Sequence, residues 1–75
     1  MRVLVYDTHS YDRTFLDEAN AGRHVLEYTT AQLDAQTAAL AHGFDAACLF
    51  VNDRADAAVM ARLAAGGVRA IVQRS

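Results

Sequence analysis

Lysine, proline and tryptophan are absent from this 75-residue chain, and cysteine occurs once, at Cys48. A single thiol closes no internal disulfide, which fits a reducing compartment. All seven cationic residues are arginine, scattered from Arg2 to Arg74 and outnumbered by nine acids, for a net charge of −2. No basic face is assembled from them, which argues against nucleic acid as a partner. Long apolar runs are also missing. The run at the amino end stops at Asp7, too short for a signal peptide or a membrane span. A soluble cytoplasmic protein is the expectation. Only four glycines occur, and none stands in a G-x-G-x-x-G pattern between a strand and a helix. Gly66-Gly67 instead follow a helical segment and precede a strand, the place of a helix stop, so this segment alone is not expected to bind NAD.

What is present is the composition of a folded domain. The hydrophobic fraction is 53% and charged residues make up 21%, well outside the disordered range. One domain, 1–75, is the most this length allows. A chain this short buries only about 60% of its extended surface, so a folded monomer is marginal.

Apolar runs alternate with helical patterns. Val3 to Tyr6 reads as a strand covered on both faces. Ser10 is placed to cap a helix carrying Tyr11, Phe15 and Ala19 at a spacing of four, ending near Asn20 and Gly22. His24 to Tyr28 is a more polar strand, expected near a sheet edge. Asp34 to His42, rich in Ala and Leu, predicts a helix stopped by Gly43, with either Thr30 or Asp34 as its cap. Ala46 to Phe50 is a third strand and Asn52-Asp53 a turn. A helix from about Asp56 to Ala65 follows, with Val59, Met60 and Leu63 on one face. Ala70 to Val72 forms a fourth strand running into Gln73 and Arg74. This β-α-β-α-β-α-β order calls for a parallel sheet with right-handed crossovers, and for a site beyond the carboxyl ends of its strands. Small doubly wound domains usually carry five strands, so a fifth is expected to be missing here.

Several constellations invite chemistry and have plainer readings. Asp7, His9 and Ser10 carry the residue types of a hydrolytic triad, but three such residues in one loop seldom reach its geometry, and turn and cap chemistry accounts for them. His9, His24 and His42 lack metal-ligand spacing. Cys48 sits inside an apolar strand as an inert thiol. Asp7 and Asp53 follow the first and third strands, as acids do in phospho-acceptor receiver domains. This chain lacks the second acid at the first position, the fifth strand and any lysine.

Taken segment by segment, the chain resembles the amino-terminal part of the NAD-dependent D-lactate dehydrogenases, within the D-isomer-specific 2-hydroxyacid dehydrogenase family. The resemblance runs through Val3-Leu4-Val5-Tyr6-Asp7-Thr8, then Tyr11-Asp12 and Phe15-Leu16. It continues through Thr37 to Ala46, similar to a T-A-x-L-A-x-G-x-D-A stretch, and Cys48 to Asp53, similar to C-x-F-V-N-D. Leu63, Gly67-Val68 and Ile71-Val72-Gln73-Arg74 complete it.

The resemblance implies a flavodoxin-like substrate-binding domain with strand order 2-1-3-4 and helices on both faces. In the family that domain packs against a separate Rossmann NAD-binding domain, which this sequence does not include. It implies hydride transfer between NADH and a small 2-keto acid such as pyruvate in the whole enzyme, with the Arg, Glu and His of catalysis supplied by later sequence. The pocket candidates it places here are Phe50, beside the substrate side chain or in the core; Asn52, on the cleft side or in a turn; and Arg74, bracing the loop that follows. The chain alone is expected to be inactive, to hold no cofactor, and to form a homodimer or an element-swapped oligomer. The competing expectation is a free-standing flavodoxin-like module that works by binding or assembly.

Overall fold

The computed structural model describes residues 1–49 and 56–73, with Tyr11 described in its backbone alone. Four strands, β1 (Arg2–Val5), β2 (Val25–Tyr28), β3 (Ala46–Leu49) and β4 (Ala70–Gln73), alternate with two α-helices, α1 (Ser10–Asn20) and α2 (Ala57–Ala65), and a 3₁₀ segment, Thr37–Ala41. Every strand pairing is parallel and the order is β2-β1-β3-β4, as expected. β1 lies one residue earlier than the apolar run predicts. Tyr6 still donates its N–H to Cys48 O at 2.9 Å, but Asp7 then turns left-handed at φ 52° and ends the extended geometry.

The pleat sorts the side chains into two unequal faces. Leu4, Ala47 and Ile71 align across one face, and Val5, Tyr28, Cys48 and Val72 across the other. On the first face, Leu4, Tyr6, Ala47 and Leu49 meet Ala38 and Ala41 of the 3₁₀ segment, Val59 and Leu63 of α2, and Leu33, Phe44 and Val68 from the loops. This is the core. Tyr6 is wholly enclosed in it and donates its hydroxyl to Thr37 O at 2.9 Å.

α2 forms where the pattern puts it. Asp56 caps it by accepting from Val59 N–H at 3.0 Å, and Val59 and Leu63, one turn apart, are buried. Met60 was expected on the same face and is 39% exposed, so the buried stripe is narrower than predicted. At the far end a Cβ on Gly66 would stand 3.3 Å from His42 Cα, and Gly67 has φ +101°. The left-handed backbone at Gly67 favours glycine, whereas a side chain at 66 would press on the His42 backbone.

Two expectations are corrected. The helix predicted over 34–42 is only the 3₁₀ segment. Asp34, not Thr30, anchors it, its carboxylate accepting from Gln36 and Thr37 N–H at 2.8 Å each. Thr37 Oγ1 donates to Gln32 O at 2.6 Å, while the Tyr6 hydroxyl takes the Thr37 carbonyl that an α-helical turn would use. Side-chain competition for the backbone thus overrides the propensity of the Ala-rich run. In α1 the cap is His9 rather than Ser10, and the Asp12 carboxylate accepts the His9 N–H at 3.1 Å. The face turned toward the sheet is Asp12, Leu16 and Asn20, each half-buried, whereas Phe15 is 70% exposed and Ala19 is exposed. The spacing-of-four pattern located the helix and misjudged its rotation.

The amino edge of the sheet is stapled. Asp45, leading into β3, accepts Arg2 N–H at 2.9 Å and lies 3.5 Å from the Arg69 guanidinium, while Arg69 N–H reaches Asp45 O at 2.8 Å. The Arg2 N–H, and then the Arg69 charge against an opposing effect of desolvation, hold the Asp45 carboxyl below its ordinary range. Arg2 also pairs with Glu27 at 2.9 Å and lies over the Phe44 ring.

Candidate functional site

The opposite edge, at the carboxyl ends of the strands, is where the described surface opens. After β1 the chain passes through Asp7 and Thr8, both buried. Asp7 N–H donates to Ala31 O at 2.9 Å and Thr8 N–H to Thr29 O at 3.0 Å, tying this turn to the one after β2. Thr8 Oγ1 returns to Val5 O at 2.9 Å. Asp tolerates the left-handed turn better than most side chains, which explains an acid here without catalysis.

Between these two turns and the start of α1 lies a cavity of about 400 Å³ lined by Thr8, His9, Ser10, Arg13, Thr14, Tyr28, Thr29 and Thr30. The Arg13 guanidinium is stacked 4.9 Å above the Tyr28 ring, and the Tyr28 hydroxyl donates to Asp17 one helical turn on from Arg13. The sequence places a site at the carboxyl edge, where this cavity lies, but assigns His9 and Ser10 to turn and cap chemistry and does not single out Arg13 or Tyr28. The available signal was Arg13 three residues beyond Ser10 on one helix and Tyr28 closing the edge strand beside it.

Burial first, then the hydrogen bond to Asp17 and its negative charge, push the Tyr28 phenol from 10.0 up to about 12, with Arg13 opposing. A proton held more tightly in the folded state gives stability that is complete below the ordinary pKa and is lost as pH rises through the folded one. The folded chain is therefore expected to lose stability between pH 10 and about 12. Tyr28→Phe should flatten that part of the curve. Urea midpoints measured across this window check it, and parallel curves for the two proteins would count against the assignment.

The Asp7, His9 and Ser10 group does not form a relay. His9 Nδ1 faces Asp12 Oδ2 at 3.3 Å and serves the helix start. Among the described residues no group of three or more His, Cys, Asp or Glu is gathered as a metal cluster, and no helix is long and apolar enough to cross a membrane. Cys48 is buried in β3. Nor do these residues fit a dinucleotide. At the β1–α1 turn, where a pyrophosphate needs bare glycine backbone, the buried side chains of Asp7 and Thr8 stand instead.

The three pocket candidates, Phe50, Asn52 and Arg74, and the acid Asp53, lie outside the described residues. The backbone leading to two of them is described. Leu49 and Gln73, the residues before Phe50 and Arg74, are register partners on the adjacent strands β3 and β4.

Residues 3–75 match the family model of the D-isomer specific 2-hydroxyacid dehydrogenase, catalytic domain. Among curated relatives, the chain is 38% identical to 2-hydroxyacid dehydrogenase A of Aspergillus oryzae, over 99% of this chain and 22% of that protein. It is 36% identical to D-lactate dehydrogenase of Escherichia coli, over 99% of this chain and 23% of that protein. Among solved structures, Salmonella D-lactate dehydrogenase superposes with a TM-score of 0.94 at 36% identity, over 97% of this chain and 22% of that one. The chain thus spans less than a quarter of the length of these relatives.

Proposed function

The chain belongs to the D-isomer specific 2-hydroxyacid dehydrogenase family, and from that premise we propose that it is part of the substrate-binding domain of a D-lactate dehydrogenase-like oxidoreductase. The observation that carries the reading is the family match over residues 3–75, on a parallel sheet with a cavity at its carboxyl edge. The conversion is reduction of a small 2-keto acid such as pyruvate to the 2-hydroxy acid, or its reverse. Hydride arrives at C2 and a proton at the carbonyl oxygen, so a hydride donor is required, and NADH is the proposed one. No glycine fingerprint for it occurs in these residues, and a separate Rossmann domain is its proposed holder. Phe50, Asn52 and Arg74 are proposed to line or brace the substrate cleft, at the edge where Leu49 and Gln73 end the described strands.

A chimera tests this reading. The matching segment of E. coli D-lactate dehydrogenase is replaced by residues 1–75, and pyruvate-dependent NADH oxidation is measured. Retained turnover is expected, and a folded but inert chimera would overturn the assignment. The 75-residue polypeptide alone is expected to give no turnover, because neither the cofactor nor the hydride geometry can be assembled from it. Activity that survives repeated purification would refute that. Phe50→Ala in the chimera is expected to shift preference toward bulkier keto acids at a small cost in thermal midpoint. A cost of about 3–5 kcal/mol with unchanged preference would place Phe50 in the core instead.

A second reading, an assembly module, draws on β4. Its Ile71 and Val72 are 37% and 52% exposed, and among the described residues no strand pairs with its outer edge.

A further inference from the structure

The geometry points to the cavity between α1 and the carboxyl ends of β1 and β2 as a binding site for a small oxyanion, a carboxylate or phosphate group carried by a metabolite, with the Arg13 guanidinium as its charged anchor.

Its lining is one-sided in chemistry. Ser10, Thr29 and Thr30 bring hydroxyls with a proton to donate, those of Thr8 and Thr14 already donate to Val5 O and Ser10 O, His9 and Arg13 bring nitrogen groups, and no carboxylate lines it. The two acids of α1 beside it are engaged elsewhere, Asp12 with the His9 N–H and Asp17 with the Tyr28 hydroxyl. Arg2 and Arg69 each pair with a carboxylate. Arg13 makes no ion pair or hydrogen bond with its side chain among the described residues, and it is not loose. It lies over the ring of Tyr28, whose hydroxyl Asp17 fixes in turn. A guanidinium held over an aromatic ring by cation–π attraction spends none of its five N–H donors on a conventional acceptor, and their planar fork matches the paired oxygens of carboxylate and phosphate. The hydroxyls of Ser10 and Thr30, from the α1 start and the β2 turn, likewise have no side-chain partner among the described residues. At about 400 Å³ the cavity is larger than a single phosphate needs and falls at the small end of ligand pockets. It admits a compact organic anion.

This inference does not depend on the proposed reaction, since none of Phe50, Asn52 or Arg74 takes part. The test is a titration of the isotopically labelled 75-residue chain with inorganic phosphate, and separately with pyruvate, at constant ionic strength held with chloride. Amide chemical shifts are the readout. Saturable shifts centred on Thr8, Ser10, Arg13, Thr29 and Thr30 are expected for at least one of the two anions, and which one saturates identifies the source of the oxyanion. Arg13→Gln should weaken binding at least tenfold. Because Arg13 also covers the Tyr28 ring, the double variant Ser10→Ala, Thr30→Val is made alongside it, leaving the stack in place, and a three- to tenfold weakening is expected. Shifts that fail to saturate with both anions, shifts centred away from the cavity, or affinity unchanged in Arg13→Gln would each overturn the proposal.

Discussion

Tyr6→Ala is expected to strip the chain of a large part of its stability at 25 °C. Tyr6 is fully enclosed among Leu4, Leu33, Ala38, Leu49, Val59 and Leu63. Truncating a buried aromatic ring costs about 3–5 kcal/mol in transferred surface and residual cavity. The whole stability of a chain this long is roughly 4–11 kcal/mol, at the usual increment per residue. Tyr6→Phe isolates the other part of its role. The ring stays, and the Thr37 carbonyl loses the hydroxyl that it accepts at 2.9 Å, at a cost of about 1–3 kcal/mol. Urea melts followed by far-UV circular dichroism should therefore rank wild type above Tyr6→Phe and both far above Tyr6→Ala. A Tyr6→Ala midpoint within error of wild type would show that the ring is not the centre of this core.

The second large effect is on mass. The 75-residue chain is expected to associate at micromolar concentration, with a two-fold dimer as the simplest closure, since one self-complementary patch removes two open edges together. The outer edge of β4 offers backbone groups flanked by exposed Ile71 and Val72. Association also supplies apolar contact that so small a monomer lacks. Val72→Lys places a charge on that strand and should shift the particle to monomer mass. Light scattering over a dilution series reads both. Monomer mass for the wild type throughout, with protected amides in β4, would defeat the expectation.

Much of the architecture was legible because it rests on periodicity. Continuous apolar runs at Val3 to Tyr6 and Ala46 to Phe50 marked the central strands, the more polar run of His24 to Tyr28 marked an edge, and Asp56 with Gly66-Gly67 bracketed α2. The failures have one physical root. Periodicity weighs side chains by apolarity and is blind to hydrogen bonds that are long in sequence. Thr37 lies 31 residues from Tyr6, so nothing local says that its carbonyl also accepts a side-chain hydroxyl beside an Ala-rich run that winds as 3₁₀. In α1, Phe15 and Ala19 match the template as well as Leu16 does, and only the sheet beneath decides that Leu16 turns inward. The candidate site divided in the same way. Its location followed from topology, and Phe50, Asn52 and Arg74 came from resemblance. The pairing of Arg13 with Tyr28 depends on two elements meeting, which one linear sequence does not announce.

The inequality of the two sheet faces sets the order in which the molecule should open. α2 is bolted to the core through Val59 and Leu63, whereas α1 buries no described side chain completely, and Leu16 and Asn20 face Val3, Val5 and Leu26 across a cavity. Cooperative units separate along such seams, and those with little buried apolar contact open at the smallest free energy. Amide hydrogen exchange should accordingly divide the protein into two populations. The amides of α1 would exchange through a partial opening that leaves the sheet intact. Those of β1, β3 and α2 would wait for global unfolding. The cavity at the start of α1 sits on the first of these units, so any ligand that bridges Arg13 to Thr30 would stitch the weaker unit to the sheet and slow its exchange without touching the core.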